Sequence, residues 1–314
     1  MVVVYVQLLF AMLFFGLSFV FTSMALQELS PVAIIVFRLV VSIACLSAVG
    51  AIPGLRRTIG RLERPARGDA RFFVLIALFQ PFLYFLSENT GLLYTTPAVA
   101  SIVIATIPVV TPVGVYVILR ERVSWYTITG AFVSLAGVGV LVLGDLGSDG
   151  NDIRGILLVF VSVLAAVGYS ISLRRLPDRY SSVTVVVWQN ILGLLYFMPL
   201  FLFRDLGPLL SQTGVSVQTW TAILFLGVFP STVSFVFLSR GIRTLGAAKA
   251  NITTNTVPVF AALFSILVLG QPILISTVAG MMVVLSGVLI SQISNLLGLS
   301  SRSRVPQVRW PVDT

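Results

Sequence analysis

The sequence predicts an all-α integral membrane protein with ten transmembrane helices, arranged as two inverted repeats of five helices each. Three observations predict this fold: the composition, the spacing of long apolar runs, and a similarity between the two halves of the chain. The 314 residues are 57% hydrophobic and only 10% charged, with a mean hydropathy of +1.04. A soluble domain carries about 25% charged residues. This chain therefore requires lipid as its solvent.

The long apolar runs define the helices, because a helix needs about 20 apolar residues to cross the hydrocarbon core of a bilayer. Residues 1–27 contain no charged side chain. This run is too long for the hydrophobic region of a cleaved signal peptide, so we predict that it is the first span. The predicted spans, numbered 1 to 10 in chain order, are 3–23, 33–53, 72–93, 98–119, 126–144, 155–173, 183–203, 219–239, 249–269 and 275–297.

The arginines are concentrated in alternate loops, which predicts the orientation of the chain. Basic loops remain on the cytoplasmic side, so both termini are predicted to be cytoplasmic, in a multi-pass protein of the inner cell membrane. The acidic loop 5/6 then lies outside. The net charge of +9 accordingly indicates membrane topology and not nucleic-acid binding. The arginines predicted to lie inside are Arg56, Arg57, Arg61, Arg64, Arg67, Arg71, Arg120, Arg122, Arg174, Arg175, Arg179, Arg240, Arg243, Arg302, Arg304 and Arg309.

The two halves of the chain resemble each other. Five spans are an odd number, so the second copy must enter the membrane from the opposite face. The repeats are predicted to occupy residues 3–144 and 155–297, followed by a cytoplasmic tail at 298–314. Inverted repeats are common in secondary transporters; a duplication that serves only structure is the alternative. A shift of 150 residues aligns Phe79 with Phe229, Phe85 with Phe235, Gly91 with Gly241, Ala98 with Ala248, Ala100 with Ala250, Pro108 with Pro258, Gly130 with Gly280 and Gly137 with Gly287, and a shift of about 152 aligns Gly16 and Ser18 with Gly168 and Ser170.

The composition also excludes several kinds of chemistry. The chain has no histidine and a single cysteine, Cys45. Histidine catalysis, His/Cys metal sites and intrachain disulfides are therefore excluded. No glycine-rich loop ending in Gly-Lys-Ser/Thr is present in the sequence, so no nucleotide site of that type is predicted. We predict no enzyme activity, no cofactor and no metal; an enzyme with a catalytic pair inside the bilayer is the alternative.

Three ionisable residues fall within predicted spans, where a charge is costly and marks a functional site by default. They are Arg38 in span 2, Glu88 in span 3 and Lys249 in span 9. A carboxyl group in a cavity of low dielectric binds a proton more readily, so Glu88 is a candidate for carrying a coupling proton. A static ion pair of Glu88 with Lys249 or Arg38 is the alternative. Arg38 could also extend its stem to the outer interface.

Polar side chains in span 9 predict a lined cavity. Asn251, Thr254 and Asn255 share one helical face just before Pro258. The alternative is that these side chains only form hydrogen bonds between helices. The other candidates for binding a substrate are Gln80, Tyr84 and Asn89 in span 3, Tyr169 in span 6, and Trp188 and Gln189 in span 7.

Three stretches carry a resemblance to a known family: FFGLSFVFTSMALQELSPVAIIVFRLV, SENTGLLYTTPAVASIVIATIPVVTPVGVYVILRERVSWYTITGAFVSLAGVGVLVLG and SRGIRTLGAAKANITTNTVPVFAALFSILVLGQPILISTVAGMMVVLSGVLI. They resemble the ten-helix EamA-type members of the drug/metabolite transporter superfamily, which have two EamA repeats. The family usually has an acidic residue after the fourth helix of each repeat. Glu121 matches this pattern and Gln271 departs from it.

The resemblance implies a carrier of small organic metabolites, often outward, with amino acids and related compounds among the expected substrates. Proton coupling is expected if Glu88 titrates, and an uncoupled uniporter or channel-like permease is the alternative. The expected partners are a small-molecule substrate and the lipid bilayer. The sequence does not indicate an oligomeric state.

Overall fold

The computed structural model describes residues 2–51, 62–119, 125–145, 152–211, 214–245, 250, 252–270 and 274–296. All regular secondary structure in these residues is helical, and it forms ten segments that match the ten predicted spans. Within the described residues, seven helices are long and apolar enough to cross a membrane, and three further apolar helices are shorter. The all-α prediction with ten spans is confirmed. The predicted tail at 298–314 lies outside the described residues.

The observed helices begin and end within a few residues of the predicted spans. Spans 4 and 9 are each made of two helical pieces. The bounds are Val2–Ala25, Pro31–Ala51, Arg67–Gly91, Pro97–Ile104 with Ile107–Leu119, Trp125–Asp145, Ile153–Arg175, Ser182–Ser211, Val217–Leu245, Ile252–Thr256 with Val257–Leu269, and Ile275–Leu296.

Side chains that cap helix N-termini explain where several spans begin. Thr96 accepts a hydrogen bond from the Val99 amide, next to a proline at the first helical position. Ser181 and Ser216 accept equivalent bonds at the starts of spans 7 and 8. An N-cap oxygen satisfies one of the amides that a helix leaves unpaired. The polar residues that separate the apolar runs therefore also determine the helix starts.

Close packing of spans 5 and 10 shows that the two repeats are inverted. A Cβ added to Gly137 would lie 2.7 Å from the Val284 amide nitrogen, and one added to Gly287 would meet the backbone of Ser134. Residue numbers rise along span 5 as they fall along span 10, so the two helices are antiparallel. A shift of 150 residues exchanges one contact for the other. The helices are therefore related by a two-fold pseudosymmetry axis, as inverted repeats require.

Spans 3 and 8 are interrupted by π-helical turns at equivalent places. The turns are Leu78–Leu83, which contains Pro81, and Phe229–Ser234, which contains Pro230. A proline removes one backbone donor from a helix and clashes with the preceding turn, so a local change of helical geometry is expected there. Neither proline was singled out from the sequence.

Spans 4 and 9 are interrupted immediately before the prolines that the repeat aligns. Pro108 and Pro258 each occupy the second position of an α-helix. The preceding residues form a turn at Ala105–Thr106 in span 4 and a 3₁₀ helix at Ile252–Thr256 in span 9. Proline is well tolerated in the first turn of a helix. Spans 3, 4, 8 and 9 are thus each interrupted beside a proline, and all four line the cavity described below. Span 7 has a further π-helical turn at Phe201–Asp205.

The repeat is also visible in how the spans pack. Span 1 contacts spans 8 and 9, and span 6 contacts spans 3 and 4. Span 2 contacts spans 7 and 8. The interior of the bundle therefore lies between a group containing spans 1, 8 and 9 and a group containing spans 3, 4 and 6.

At the end of the bundle that carries the arginine-rich loops, the segment before span 3 is bonded to the loop between spans 6 and 7. Glu63 accepts hydrogen bonds from the amide and hydroxyl of Ser181 and from the Thr184 hydroxyl. Asp69 forms an ion pair with Arg179 and accepts a hydrogen bond from Tyr180. Burial acts to raise the pKa of the Glu63 carboxyl, but the hydrogen bonds from Thr184 and Ser181 outweigh it, so the pKa is lowered.

Glu63→Gln is expected to lower the melting temperature by a few degrees at pH 7. A lowered pKa means that the carboxylate contributes stability above its ordinary pKa of 4.5, and that this contribution is lost as the pH falls through the folded-state value. The difference between variant and wild type should therefore shrink in acid. Melting curves of the purified protein in detergent at pH 7 and pH 4 measure this. Asp178→Asn, at an exposed carboxylate in the same loop region, serves as the control. A difference of the same size at both pH values would contradict the assignment.

Candidate functional site

A cavity lies in the middle of the bundle, between the two groups of spans. It encloses about 630 Å³ between its lining atoms, including space open to the outside. Seven spans contribute to its wall, and most of that wall is apolar. The lining residues are Phe15, Ser18, Phe19, Arg38, Gln80, Tyr84, Phe85, Glu88, Ile104, Ile107, Ala166, Tyr169, Ser170, Phe235, Leu238, Ile242, Thr254 and Val257.

The cavity lies on the pseudosymmetry axis. Phe85 and Phe235, which the repeat aligns, are in edge contact with ring centroids 5.9 Å apart. Two equivalent positions can touch only near the axis that relates them. Four more pairs of lining residues are equivalent under the same shifts: Ser18 and Ser170, Glu88 and Leu238, Ile104 and Thr254, and Ile107 and Val257. The positions are symmetric, but the charge is not, because leucine occupies the place of Glu88 in the second repeat.

Arg38 brings a cation into this wall. Its side chain is only 1% exposed, and its Nε donates a hydrogen bond of 2.8 Å to the Ser231 hydroxyl. Its Cζ lies 4.0 Å from the ring centroid of Phe85. A guanidinium over an aromatic face is stabilised by the quadrupole of the ring. The guanidinium therefore lies inside the bundle and not at the outer interface.

Glu88 brings the opposite charge. The carboxyl is buried, and the Tyr84 hydroxyl donates a hydrogen bond of 3.4 Å to its Oε1. Glu88 and Arg38, both among the described residues, line the same cavity but do not approach within the 4.0 Å that defines an ion pair. The static pair with Arg38 is therefore not formed in this structure. Lys249, the other partner considered, lies outside the described residues.

Two further predicted residues face the cavity. The hydroxyl of Tyr169 is buried and has no hydrogen-bond partner among the described residues. Gln80 has extended backbone angles, with φ −145° and ψ 116°, within the π-helical turn of span 3. This local departure from the helix presents a polar residue next to the break. Six of the residues predicted from the sequence thus lie around one cavity: Arg38, Gln80, Tyr84, Glu88, Tyr169 and Thr254.

The other predicted residues lie elsewhere. Asn89 and Gln189 are fully buried outside the cavity wall, and their amide groups have no partner among the described residues. The indole of Trp188 donates to the backbone carbonyl of Glu63, in the loop region before span 3. Asn255 does not line the cavity, although its neighbour Thr254 does. Asn251 lies outside the described residues.

Several lining residues were not predicted as site residues. Phe235 contacts Phe15, Phe85 and Tyr169 and forms the aromatic centre of the wall. The sequence already aligned Phe235 with Phe85. If Phe85 had been known to lie at the axis, this alignment would have placed Phe235 there as well. Ser231, which bonds Arg38 but does not itself line the cavity, gives no such signal, because a buried serine in an apolar span is ordinary and its bond to Arg38 joins residues 193 positions apart.

Two inverted five-helix repeats around a partly polar cavity on their common axis define the architecture of a membrane transporter. The chain belongs to the EamA-like transporter family, whose model matches residues 3–143 and again residues 153–292. The family prediction is confirmed by these two matches.

Individual relatives agree with this class. A protein of Archaeoglobus fulgidus named an uncharacterized transporter is 28% identical, over 88% of this chain and 94% of its own length. The transporter YyaM of Bacillus subtilis is 24% identical, over 91% and 92% of the two chains. A protein of Streptantibioticus cattleyicolor named a probable terminal-alkyne amino-acid exporter is 23% identical, over 67% and 69%. One crystal structure matches 95% of this chain with a TM-score of 0.67 and 18% identity, which shows the same fold.

Proposed function

We propose that this protein is a secondary active transporter that exports amino acids or closely related zwitterions in exchange for protons. The single observation that carries the proposal is the placement of Arg38 and Glu88 in one apolar cavity without an ion pair between them. The two charges attract each other at longer range, but without direct contact this attraction leaves part of the cost of burying them uncompensated. A ligand that carries both charges would compensate the two at once.

The chemistry of the wall supports this substrate class. The carboxylate of an amino acid would accept hydrogen bonds from the Arg38 guanidinium, whose fork of donors suits a planar anion. The ammonium group would bind Glu88 and the hydroxyl of Tyr84. The rings of Phe15, Phe85 and Phe235 and the side chains of Ile104 and Ile107 would surround an apolar substituent.

Proton coupling follows from the same arrangement. A buried carboxylate without a cation is unfavourable, so Glu88 would hold either a proton or the substrate ammonium. Binding of one would release the other. Protons entering down their gradient would thereby displace substrate on the outer side, and substrate would displace the proton inside.

The inverted repeats support alternating access. If each repeat adopts the conformation of the other, the cavity on the axis becomes open to the opposite side of the membrane. This requires the group of spans 1, 8 and 9 to move relative to the group of spans 3, 4 and 6. We further propose the repeat boundaries 3–144 and 155–297, which the internal similarity and the two family matches support. We also propose that both termini are cytoplasmic, on the distribution of arginines, and that the protein lies in the inner cell membrane.

The name of the relative from Streptantibioticus cattleyicolor, an amino-acid exporter, supports the same substrate class. The transporter names of the relatives favour carriage over catalysis. No cofactor or nucleotide has a role in this mechanism.

The test is uptake of labelled L-amino acids and their decarboxylated amines into proteoliposomes, with and without a pH gradient. We expect saturable uptake of an apolar amino acid that the gradient accelerates, and weak uptake of the matching amine, which lacks the group for Arg38. Arg38→Gln should remove the discrimination between the two compounds. Flux that ignores the gradient would indicate an uncoupled permease, and an amine carried as well as its amino acid would contradict the proposed role of Arg38.

A further inference from the structure

We infer that Ser231, on the π-helical turn of span 8, is the positioning residue that holds Arg38 in the orientation needed to bind the anionic group of the substrate. This inference rests on the proposed function, since it assigns the residue that orients the proposed anion site. Ser231 itself is not among the residues of the cavity wall. It therefore acts through Arg38 and not by contact with the substrate.

The first step is the bond itself. Arg38 Nε donates to the Ser231 hydroxyl at 2.8 Å, and this is the only hydrogen bond that the described residues accept from Arg38. The Nε atom is the nitrogen that joins the guanidinium to the rest of the side chain. Its use leaves the N–H groups of the terminal nitrogens for a ligand, because a guanidinium has donors on all three nitrogens. The Phe85 ring covers one face of the group, so the guanidinium is held both at an edge and at a face.

The second step is that Ser231 is itself held rigidly. Its backbone carbonyl accepts hydrogen bonds from the Ser42 hydroxyl at 3.2 Å and from the Asn190 amide at 3.4 Å. Ser42 also lies 2.6 Å from the Thr232 hydroxyl and accepts from Asn190 at 2.8 Å. These residues come from spans 2, 7 and 8 and are buried. A buried network in which the donors find acceptors is rigid.

The third step is the π-helical turn. Pro230 lacks an amide hydrogen, and the Thr232 hydroxyl donates to the Gly227 carbonyl at 2.9 Å. Side-chain hydrogen bonds to backbone carbonyls near a proline help such breaks to be tolerated within membrane helices. Spans 2 and 8 pack closely at Gly227 because this residue has no side chain. An added Cβ there would lie 3.0 Å from the Arg38 carbonyl oxygen. Span 2 therefore approaches the turn closely enough for Arg38 to reach Ser231.

The position equivalent to Ser231 in the first repeat is Pro81, which has no hydroxyl. The first repeat therefore cannot form the same bond. Like the charge of Glu88, the support of Arg38 occurs on one side of the axis only. The two asymmetries place the anion-binding group and the carboxylate at distinct positions in a cavity whose outline is symmetric.

The test compares Ser231→Ala with Ser234→Ala. Ser234 lies on the same turn, is buried, and its hydroxyl has no partner among the described residues, so it is a matched control. In proteoliposomes, Ser231→Ala should raise the KM for L-leucine about tenfold, the scale expected for losing a hydrogen bond to a charged group. The maximal rate and the KM for 3-methylbutylamine should change little. Ser234→Ala should resemble the wild type.

Two further measurements keep a structural role distinct from a positioning role. In an Arg38→Lys background, Ser231→Ala should add no further increase in KM, because the donor it orients is gone. The NMR signal of the Arg38 Nε–H, identified by its loss in Arg38→Lys, should broaden or shift in Ser231→Ala and remain in Ser234→Ala. This readout needs no substrate. If the wild type carries neither compound, the proposed amino-acid substrate is wrong, and the NMR signal alone decides the role of Ser231.

Two results would overturn the inference. One is an Arg38 signal that does not change in Ser231→Ala. The other is an equal rise in KM for leucine and for the amine, which would show a general loss of packing around the cavity.

Discussion

Glu88→Gln is expected to abolish the acceleration of transport by a pH gradient, and to reduce gradient-driven flux to the level seen without a gradient. Glutamine has nearly the same shape but cannot bind or release a proton. The Tyr84 hydroxyl, 3.4 Å from Oε1 in the wild type, can still donate to the amide oxygen. The variant should therefore fold, insert and retain slow substrate flux that does not respond to pH.

The measurement is uptake of L-leucine into proteoliposomes with and without an imposed gradient, with the amount of inserted protein determined for each sample. Glu28→Gln is the control, because this carboxylate lies between spans 1 and 2 and accepts a hydrogen bond from the Ser216 amide. Gradient dependence that persists in Glu88→Gln would show that another group carries the proton. A variant that fails to fold would show that the Glu88 carboxylate is needed to offset the buried charge of Arg38, and Arg38→Gln combined with Glu88→Gln should then restore folding, since neither charge remains uncompensated.

Gly137→Val is expected to destabilise the protein by about 3 kcal/mol or more, the upper range for overpacking a core, because the obstructing atoms belong to a backbone. An added Cβ at this position would lie 2.7 Å from the Val284 amide nitrogen. A side chain could rotate away, but a helix backbone cannot do so without moving span 10. The crossing of spans 5 and 10 should therefore open, and the two repeats should lose this close contact.

The effect is measured as the melting temperature and the monodispersity of the purified protein in detergent. Gly139→Val is the matched control, because it lies two residues further along the same helix and an added Cβ there meets nothing within 4 Å. Equal losses of stability in the two variants would show that helix propensity, and not the crossing, is responsible.

The sequence predicted the fold because the bilayer imposes strict requirements on length and charge. Each apolar run had to be long enough to cross, and each basic loop had to lie on one side. The alignment of Phe85 with Phe235 and of Gly137 with Gly287 revealed the repeat, but only the structure shows that the two phenylalanines touch at the axis and that each glycine packs against the partner helix. The breaks at Pro81 and Pro230 were not predicted, because the helical period of the apolar pattern does not reveal a local π-helical turn.

For the candidate site, the sequence alone identified the rare charges, Arg38 and Glu88, because a charge in a membrane span is costly wherever it points. Whether they pair, and which side chains join them, depends on distances between residues far apart in the chain. The bond from Arg38 to Ser231, and the position of Glu88 and Tyr169 in one cavity wall, both depend on such long-range distances. Tertiary packing alone decided these contacts, because orientation around a helix axis is set by the neighbouring helices and leaves no trace in an apolar sequence.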